Sequence, residues 1–251
     1  MATLKAVLWD VDGTLADTEL DGHRVAFNEA FAEADLPWNW TPELYGHLLQ
    51  VTGGKERIRF FIDQYFPLLE PPEGLDAFVA HLHKRKTHFY LSLLGSGGIP
   101  LRPGVQRLIQ AIHDRGVKQA IVTTTTPDNV TALIRSTLGE SALQWFDCIA
   151  AGDIVPHKKP APDIYFYALQ QLNLKAEDCI AIEDSENGYQ SAIAANLPVL
   201  ITVNEYTHMQ TFPNAVAVLD NLGEPDQAFK TLQGNTGQAT YVTVELLNDM
   251  V

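Results

Sequence analysis

Five short runs dominated by apolar residues punctuate the chain, each ending in a polar or acidic turn: Leu4–Trp9, Gln119–Val122, Cys148–Ala150, Cys179–Ile182 and Val199–Val203. Each has the length and composition of a buried strand. The segments between the later runs carry helical start and stop signals. Pro103 opens a helix that Gly116 stops, Thr126-Pro127-Asp128 opens another, and Ala161-Pro162 and Ser185 open two more. Strands alternating with helices predict a doubly wound α/β fold, a parallel sheet covered on both faces. From about Asp17 to Gly98 the pattern changes. No strand period appears, and Val25, Phe27, Ala30 and Phe31, then Ile58, Phe61, Ile62 and Tyr65, recur at helical spacing. Thr41-Pro42-Glu43 reads as a helix start, and a long helix is predicted from Glu73 to about Leu94, before Gly95-Ser96-Gly97-Gly98. The predicted organisation is therefore a core of residues 1–16 and 98–251 with a helical domain, 17–97, inserted after the first strand. From Gln227 onward no period is clear; Gly234 and Gly237 mark a loop before a short final element.

Charge narrows the partners. Seventeen basic against thirty-one acidic residues give a net charge of −14, a surface that repels nucleic acid and anionic lipid. An anionic substrate would then be captured by a few focused cations. The N-terminus runs directly into the first strand without a signal-peptide pattern, which predicts a cytoplasmic protein. Cys148 and Cys179 lie in apolar runs and read as buried reduced thiols.

The candidate chemistry lies at strand ends, where open parallel sheets bind ligands. Asp10 and Asp12 follow the first strand, with Gly13-Thr14 next. Neighbouring carboxylates disfavour joint ionisation, and a hard divalent ion such as Mg2+ relieves the conflict. Glu183-Asp184 ends another strand; Asp184 reads either as a metal ligand or as the cap of the following helix. Thr123 ends a third strand, where its hydroxyl can meet a phosphoryl oxygen beside Thr124, or simply continue the strand. Lys159, before Pro160, reads as a cation for a transferring phosphoryl group or as part of a solvated basic loop.

Taken in order, Asp10-Val11-Asp12-Gly13-Thr14, Thr123, Lys159-Pro160-Ala161-Pro162-Asp163 and Glu183-Asp184-Ser185 resemble the four signatures of the haloacid dehalogenase superfamily. The inserted helical domain is similar to the cap of its β-phosphoglucomutase-like subgroup. Asp21-Gly22-His23-Arg24-Val25-Ala26-Phe27-Asn28, Thr52-Gly53-Gly54-Lys55-Glu56-Arg57-Ile58 and Leu101-Arg102-Pro103-Gly104-Val105 resemble the CbbY branch. That branch is associated with carbon fixation and includes phosphatases acting on xylulose 1,5-bisphosphate. The resemblance implies a Rossmannoid core and a Mg2+-dependent phosphatase working through an aspartyl phosphate. Asp10 would be the nucleophile and Asp12 the acid and base. Thr123 and Lys159 would hold phosphoryl oxygens, and Asp10, the Asp12 carbonyl, Glu183 and Asp184 would hold Mg2+. A sugar phosphomutase of the same subgroup uses the same core and is the rival reading. A phosphate-accepting signalling receiver fits less well, since receivers lack a helical insertion after the first strand.

In the insertion, Gly53-Gly54 can open a helix whose free N–H groups cradle an anion, with Lys55, Arg57 and Arg59 beside it. A solvated helix face is the alternative. In a cap turned toward the core, Lys55 and Arg57 would hold a second phosphate, favouring a sugar bisphosphate. Glu19, His23 and Tyr45 would then contact sugar hydroxyls. The run from His81 to His88 reads as a solvated cationic face of the long helix, and Trp38, Trp40 and Trp145 as packing residues. The expected partner is a small sugar phosphate, handled by a monomer without nucleic acid or membrane.

Overall fold

The computed structural model describes residues 3–251, with Asp21 described by its backbone alone. β1 (Ala6–Trp9) leads to a loop, after which the chain leaves the sheet. A π-helical turn over Glu19–His23 runs into α1 (Arg24–Glu33), followed by α2 (Pro42–Leu48), α3 (Gly54–Tyr65) and α4 (Leu75–Gly95). The chain then returns through α5 (Val105–Asp114), β2 (Lys118–Val122), α6 (Pro127–Leu138) and β3 (Cys148–Ala150). α7 (Asp163–Leu172), β4 (Cys179–Glu183), α8 (Glu186–Ala194) and β5 (Val199–Thr202) continue the alternation. β6 (Ala217–Leu219), β7 (Thr231–Gly234) and α9 (Val244–Asn248) finish the chain. Two compact units result: Met1–Asp17 with Pro100–Val251, and Thr18–Ile99.

In the first unit the sheet order is β3-β2-β1-β4-β5-β6-β7. The first six strands pair in parallel and β7 pairs antiparallel with β6, so the all-parallel expectation fails at one edge. β7 escaped sequence reading because Thr-Leu-Gln-Gly has no apolar face to reveal; all four of its residues are exposed. Strand alternation sends Ala6 and Leu8 to one face, where they pack with α7 and α8 through Ala168, Leu172 and Ala192. On the opposite face Gln119 is fully buried: its side chain donates to the Ile109 carbonyl of α5 and accepts from the Trp9 indole.

The second unit has its own core. Phe27 and Phe31 on α1 enclose Trp40, with ring centroids 4.6 and 4.9 Å away, and Phe61 of α3 closes the cluster at 5.4 Å. Asn28 clasps the Trp40 backbone, accepting from its N–H at 2.8 Å and donating to its carbonyl at 3.1 Å. On α4 the expected solvated cationic face holds at His81, Lys84 and His88, which are exposed, and fails at Lys86. Leu82 and Lys86 are buried, and the Lys86 ammonium lies 5.1 Å from the Phe27 ring and 5.0 Å from the Tyr90 ring. Eight residues span about two helical turns and point to every side of the helix, so the run cannot all face outward.

Trp40 is fully buried, whereas Trp145 is half-buried and stacked on His113 at 5.1 Å. Trp40→Ala should therefore cost about 3–5 kcal/mol, the range for deleting a core aromatic. Trp145→Ala should cost clearly less. Urea unfolding of the two variants measures the difference, and equal losses would contradict the packing described.

Candidate active site

Parallel strands end at a common edge, and that edge gathers the acids. Asp10 follows β1, and its N–H donates to the Ile182 carbonyl at 3.0 Å. Thr123 follows β2, bonded through its N–H to the Ala150 carbonyl at 3.0 Å, while Glu183 closes β4 and Asp184 follows it. Lys159, on the connection from β3 to α7, reaches into this edge. Its ammonium donates to Asp10 Oδ1 at 2.7 Å, Glu183 Oε1 at 2.6 Å and the Val122 carbonyl at 2.8 Å. All three ammonium donors are thereby used. The solvated-loop alternative for Lys159 is excluded, since only 5% of it is exposed; Lys158 turns instead to Asp153 at 2.9 Å. The capping alternative for Asp184 also falls, because Ser185 caps α8 by accepting from the Gly188 N–H at 3.3 Å.

The electrostatics follow from burial. Asp10, Glu183 and Asp184 are buried and each offers an oxygen within 4.8 Å of the others. Three carboxylates against one ammonium leave two formal negative charges in a site that water barely reaches. Burial pushes the Asp10 carboxyl up; Lys159 opposes this, but Glu183 and Asp184 reinforce it. Burial alone would lower the Lys159 ammonium, yet the Asp10 and Glu183 carboxylates outweigh it and push it up. The Tyr165 hydroxyl donates to Glu183 Oε1 at 2.5 Å, and its burial beside that carboxylate pushes it well up, so it stays a donor. Glu183 Oε2 is buried without a hydrogen-bond partner and lies against Gly188, where an added methyl would have no room. All-oxygen donors with two uncompensated charges suit a hard divalent cation such as Mg2+. Asp12 is half-buried and its carboxylate lies outside the three-acid set; the ligand expected from it is its backbone carbonyl.

The loop Val11–Ala16 is held by N–H groups of Thr14 and Leu15 donating to the Val11 carbonyl, and by the Gly13 N–H donating to the Ala16 carbonyl at 2.8 Å. Gly13 has φ +87° and packs so tightly that a Cβ there would collide with Asp184 and Asn204. The Thr123 hydroxyl accepts from the Thr125 N–H at 3.3 Å, and Thr124 beside it is half-buried.

In the second unit three expected substrate residues converge. The Arg57 guanidinium donates to the Tyr45 hydroxyl at 2.8 Å, Tyr45 bonds Glu19, and Arg57 Nη1 lies 3.7 Å from Glu19 Oε2. Tyr45 and Arg57 are buried. His23 Nδ1 lies 2.8 Å from the Lys86 ammonium. Gly53 precedes α3 and Gly54 begins it, as expected of a helix-opening pair. The cations beside them do not form one patch, however. Arg57 is buried, Lys55 is half-buried and Arg59 is exposed and paired with Asp76. Residues two apart on a helix point to nearly opposite sides.

Sequence reasoning missed Tyr165, Gly188, Asn204 and any role for Arg102. Asn204 Nδ2 donates to Asp184 Oδ2 at 2.7 Å, and Arg102 is buried among backbone carbonyls. Asn204 did carry a signal, since it is a polar residue just past an apolar strand, as Asp10 and Thr123 are.

The family model for haloacid dehalogenase-like hydrolases matches residues 4–196. Protein CbbY of Rhodobacter capsulatus is 49% identical, over 84% of this chain and 91% of that one. The plasmid CbbY of Cupriavidus necator is 43% identical, over 88% and 87%. A crystal structure of a CbbY mutant from Rhodobacter sphaeroides in complex with xylulose-(1,5)bisphosphate superposes with a TM-score of 0.81 at 42% identity, covering 87% of this chain and 94% of that one. The chain thus belongs to the haloacid dehalogenase-like hydrolases, among the CbbY proteins, and is an enzyme of their phosphatase class.

Proposed function

We propose that the chain hydrolyses a sugar bisphosphate, xylulose 1,5-bisphosphate, to xylulose 5-phosphate and inorganic phosphate with Mg2+ as cofactor. The observation that carries this reading is the Lys159 ammonium, held between Asp10 and Glu183 where the parallel strands end. A carboxylate oriented in this way is a nucleophile for phosphorus, and an ammonium beside it can meet the charge on a transferring phosphoryl group. The structure seen for a CbbY relative with the bisphosphate supports the choice of substrate.

Asp10 attacks the phosphorus of the ester, a P–O bond forms to its carboxylate, and the bond to the sugar oxygen breaks. Asp12 gives its proton to that leaving oxygen. It then takes a proton from the water that attacks the aspartyl phosphate, which releases phosphate and restores both acids. Thr123 and Lys159 hold phosphoryl oxygens, and positioning supplies much of the acceleration. Mg2+, held by Asp10, the Asp12 carbonyl and Asp184 with Glu183 beside them, would neutralise charge on the phosphoryl group when bound. Glu183 is already bonded to Lys159 and Tyr165, so its part is chiefly to orient the ammonium.

Incubating the protein with xylulose 1,5-bisphosphate and Mg2+ should release inorganic phosphate, and no isomerised bisphosphate should accumulate. Asp10→Asn should abolish release with the fold intact, and Asp12→Asn should be severely impaired. Rates near wild type in Asp10→Asn would overturn the nucleophile assignment. An isomerised phosphosugar without free phosphate would make the chain a mutase.

Of the cations beside Gly53-Gly54, Arg57 reads the distal phosphate in this proposal, since it is the one gathered with Tyr45 and Glu19. A charge-assisted contact of that kind is worth about 1.5–3 kcal/mol, so Arg57→Ala should lower kcat/KM for the bisphosphate by about one to two decades, and Lys55→Ala, on another side of the helix, by much less. A sugar monophosphate should lose much less. Arg57 also bonds Tyr45, and the contrast between substrates cancels whatever damage its loss does to the helices. Equal losses on both substrates would return Arg57 to a structural part.

A further inference from the structure

Asn204 stands two residues beyond β5, and its amide is locked from behind. Oδ1 accepts from the Tyr206 N–H at 2.9 Å, and the backbone N–H of Asn204 donates to Thr207 Oγ1 at 2.9 Å. With Oδ1 committed, the NH2 group is the one that faces Asp184, donating to Oδ2 at 2.7 Å and lying 3.4 Å from the Gly13 carbonyl.

Arg102 grips the same carbonyl from another side. Nη1 donates to the Gly13 carbonyl and, at 2.9 Å, to that of Thr202. Nη2 donates to the carbonyls of Val203 at 2.5 Å and Asp220 at 2.9 Å. The guanidinium therefore ties the loop after β1 to the two residues just before Asn204. The backbone N–H of Arg102 donates to the Leu15 carbonyl at 2.8 Å, fixing the other end of that loop. Because Gly13 has no Cβ, the loop, Asp184 and Asn204 meet without a gap.

We propose that Asn204, braced by Arg102, is a positioning residue that sets the rotation of the Asp184 carboxylate for a divalent cation. This rests on the reading of Asp10, Glu183 and Asp184 as a metal site. A neutral amide suits the task, since it supplies a donor to Asp184 without adding a fourth negative charge to the cluster. Partners that orient a metal-binding carboxylate typically matter by 10–100-fold in affinity.

The test titrates Mg2+ calorimetrically into metal-free protein without substrate, comparing wild type, Asn204→Ser, Asn204→Ala and Asp184→Asn. Serine can still accept from the Tyr206 N–H and keep the turn, but its side chain is too short to donate to Asp184. Asn204→Ser should weaken Mg2+ binding by about 10–100-fold while the metal-free protein melts close to wild type. Raising Mg2+ should then recover its phosphate release, which a misfolded variant would not do. If Asn204→Ala does not fold, the serine variant alone decides. Wild-type affinity in Asn204→Ser, alongside lost binding in Asp184→Asn, would overturn the role of Asn204 and leave the metal site standing. No Mg2+ binding by wild type would overturn both.

Discussion

Three carboxylates and one ammonium share a buried edge of the sheet, and much of the first unit is arranged around them. Like charges taken out of water repel strongly and lose their solvation, so such a cluster persists only with compensating partners. Lys159 supplies one positive charge and spends all its donors on Asp10, Glu183 and the Val122 carbonyl. Tyr165 supplies a further donor to Glu183. The remaining imbalance favours an added divalent cation at the place where a phosphate ester would react. The same constraint accounts for Gly13 and Gly188, since a methyl at either would press on Asp184 or Glu183.

Parallel strand pairing is what makes this arrangement cheap to build. Trp9 pairs with both Ile121 and Ile182, so Asp10 comes level with Val122 and Glu183, and Thr123 and Asp184 emerge one step beyond. Fully buried strands carry the acids to the edge, while α7 and α8 cover the face beneath them. The second unit is held by a different interaction, an aromatic cluster around Trp40. It also gathers Glu19, Tyr45 and Arg57 into one hydrogen-bonded group.

The five apolar runs were legible because burial on both faces leaves an unbroken hydrophobic stretch, and the acids were legible because they interrupt it at one end. Asp10, Thr123, Glu183 and Asp184 all announce themselves in that way. β7 could not, being an exposed four-residue edge held by backbone pairing to β6. Tyr165 and Gly188 lie inside helices, where an aromatic or a glycine reads as ordinary packing until its distance from Glu183 is known. Arg102 acts on backbone carbonyls, which leave no mark in the side-chain sequence. Charge alone hides the place of Lys86, whose helical register turns it inward with Leu82 and Tyr90.

The charge balance of this cluster is tested most directly by calorimetric melting of the metal-free protein with and without Mg2+. A cation that completes the cluster binds the folded state alone and stabilises it by about 2.7 kcal/mol at a hundred times its dissociation constant. Wild type should therefore melt higher as Mg2+ is added, and Asp184→Asn should lose most of that response. A wild-type melting temperature indifferent to Mg2+, or an equal rise in the variant, would contradict the account.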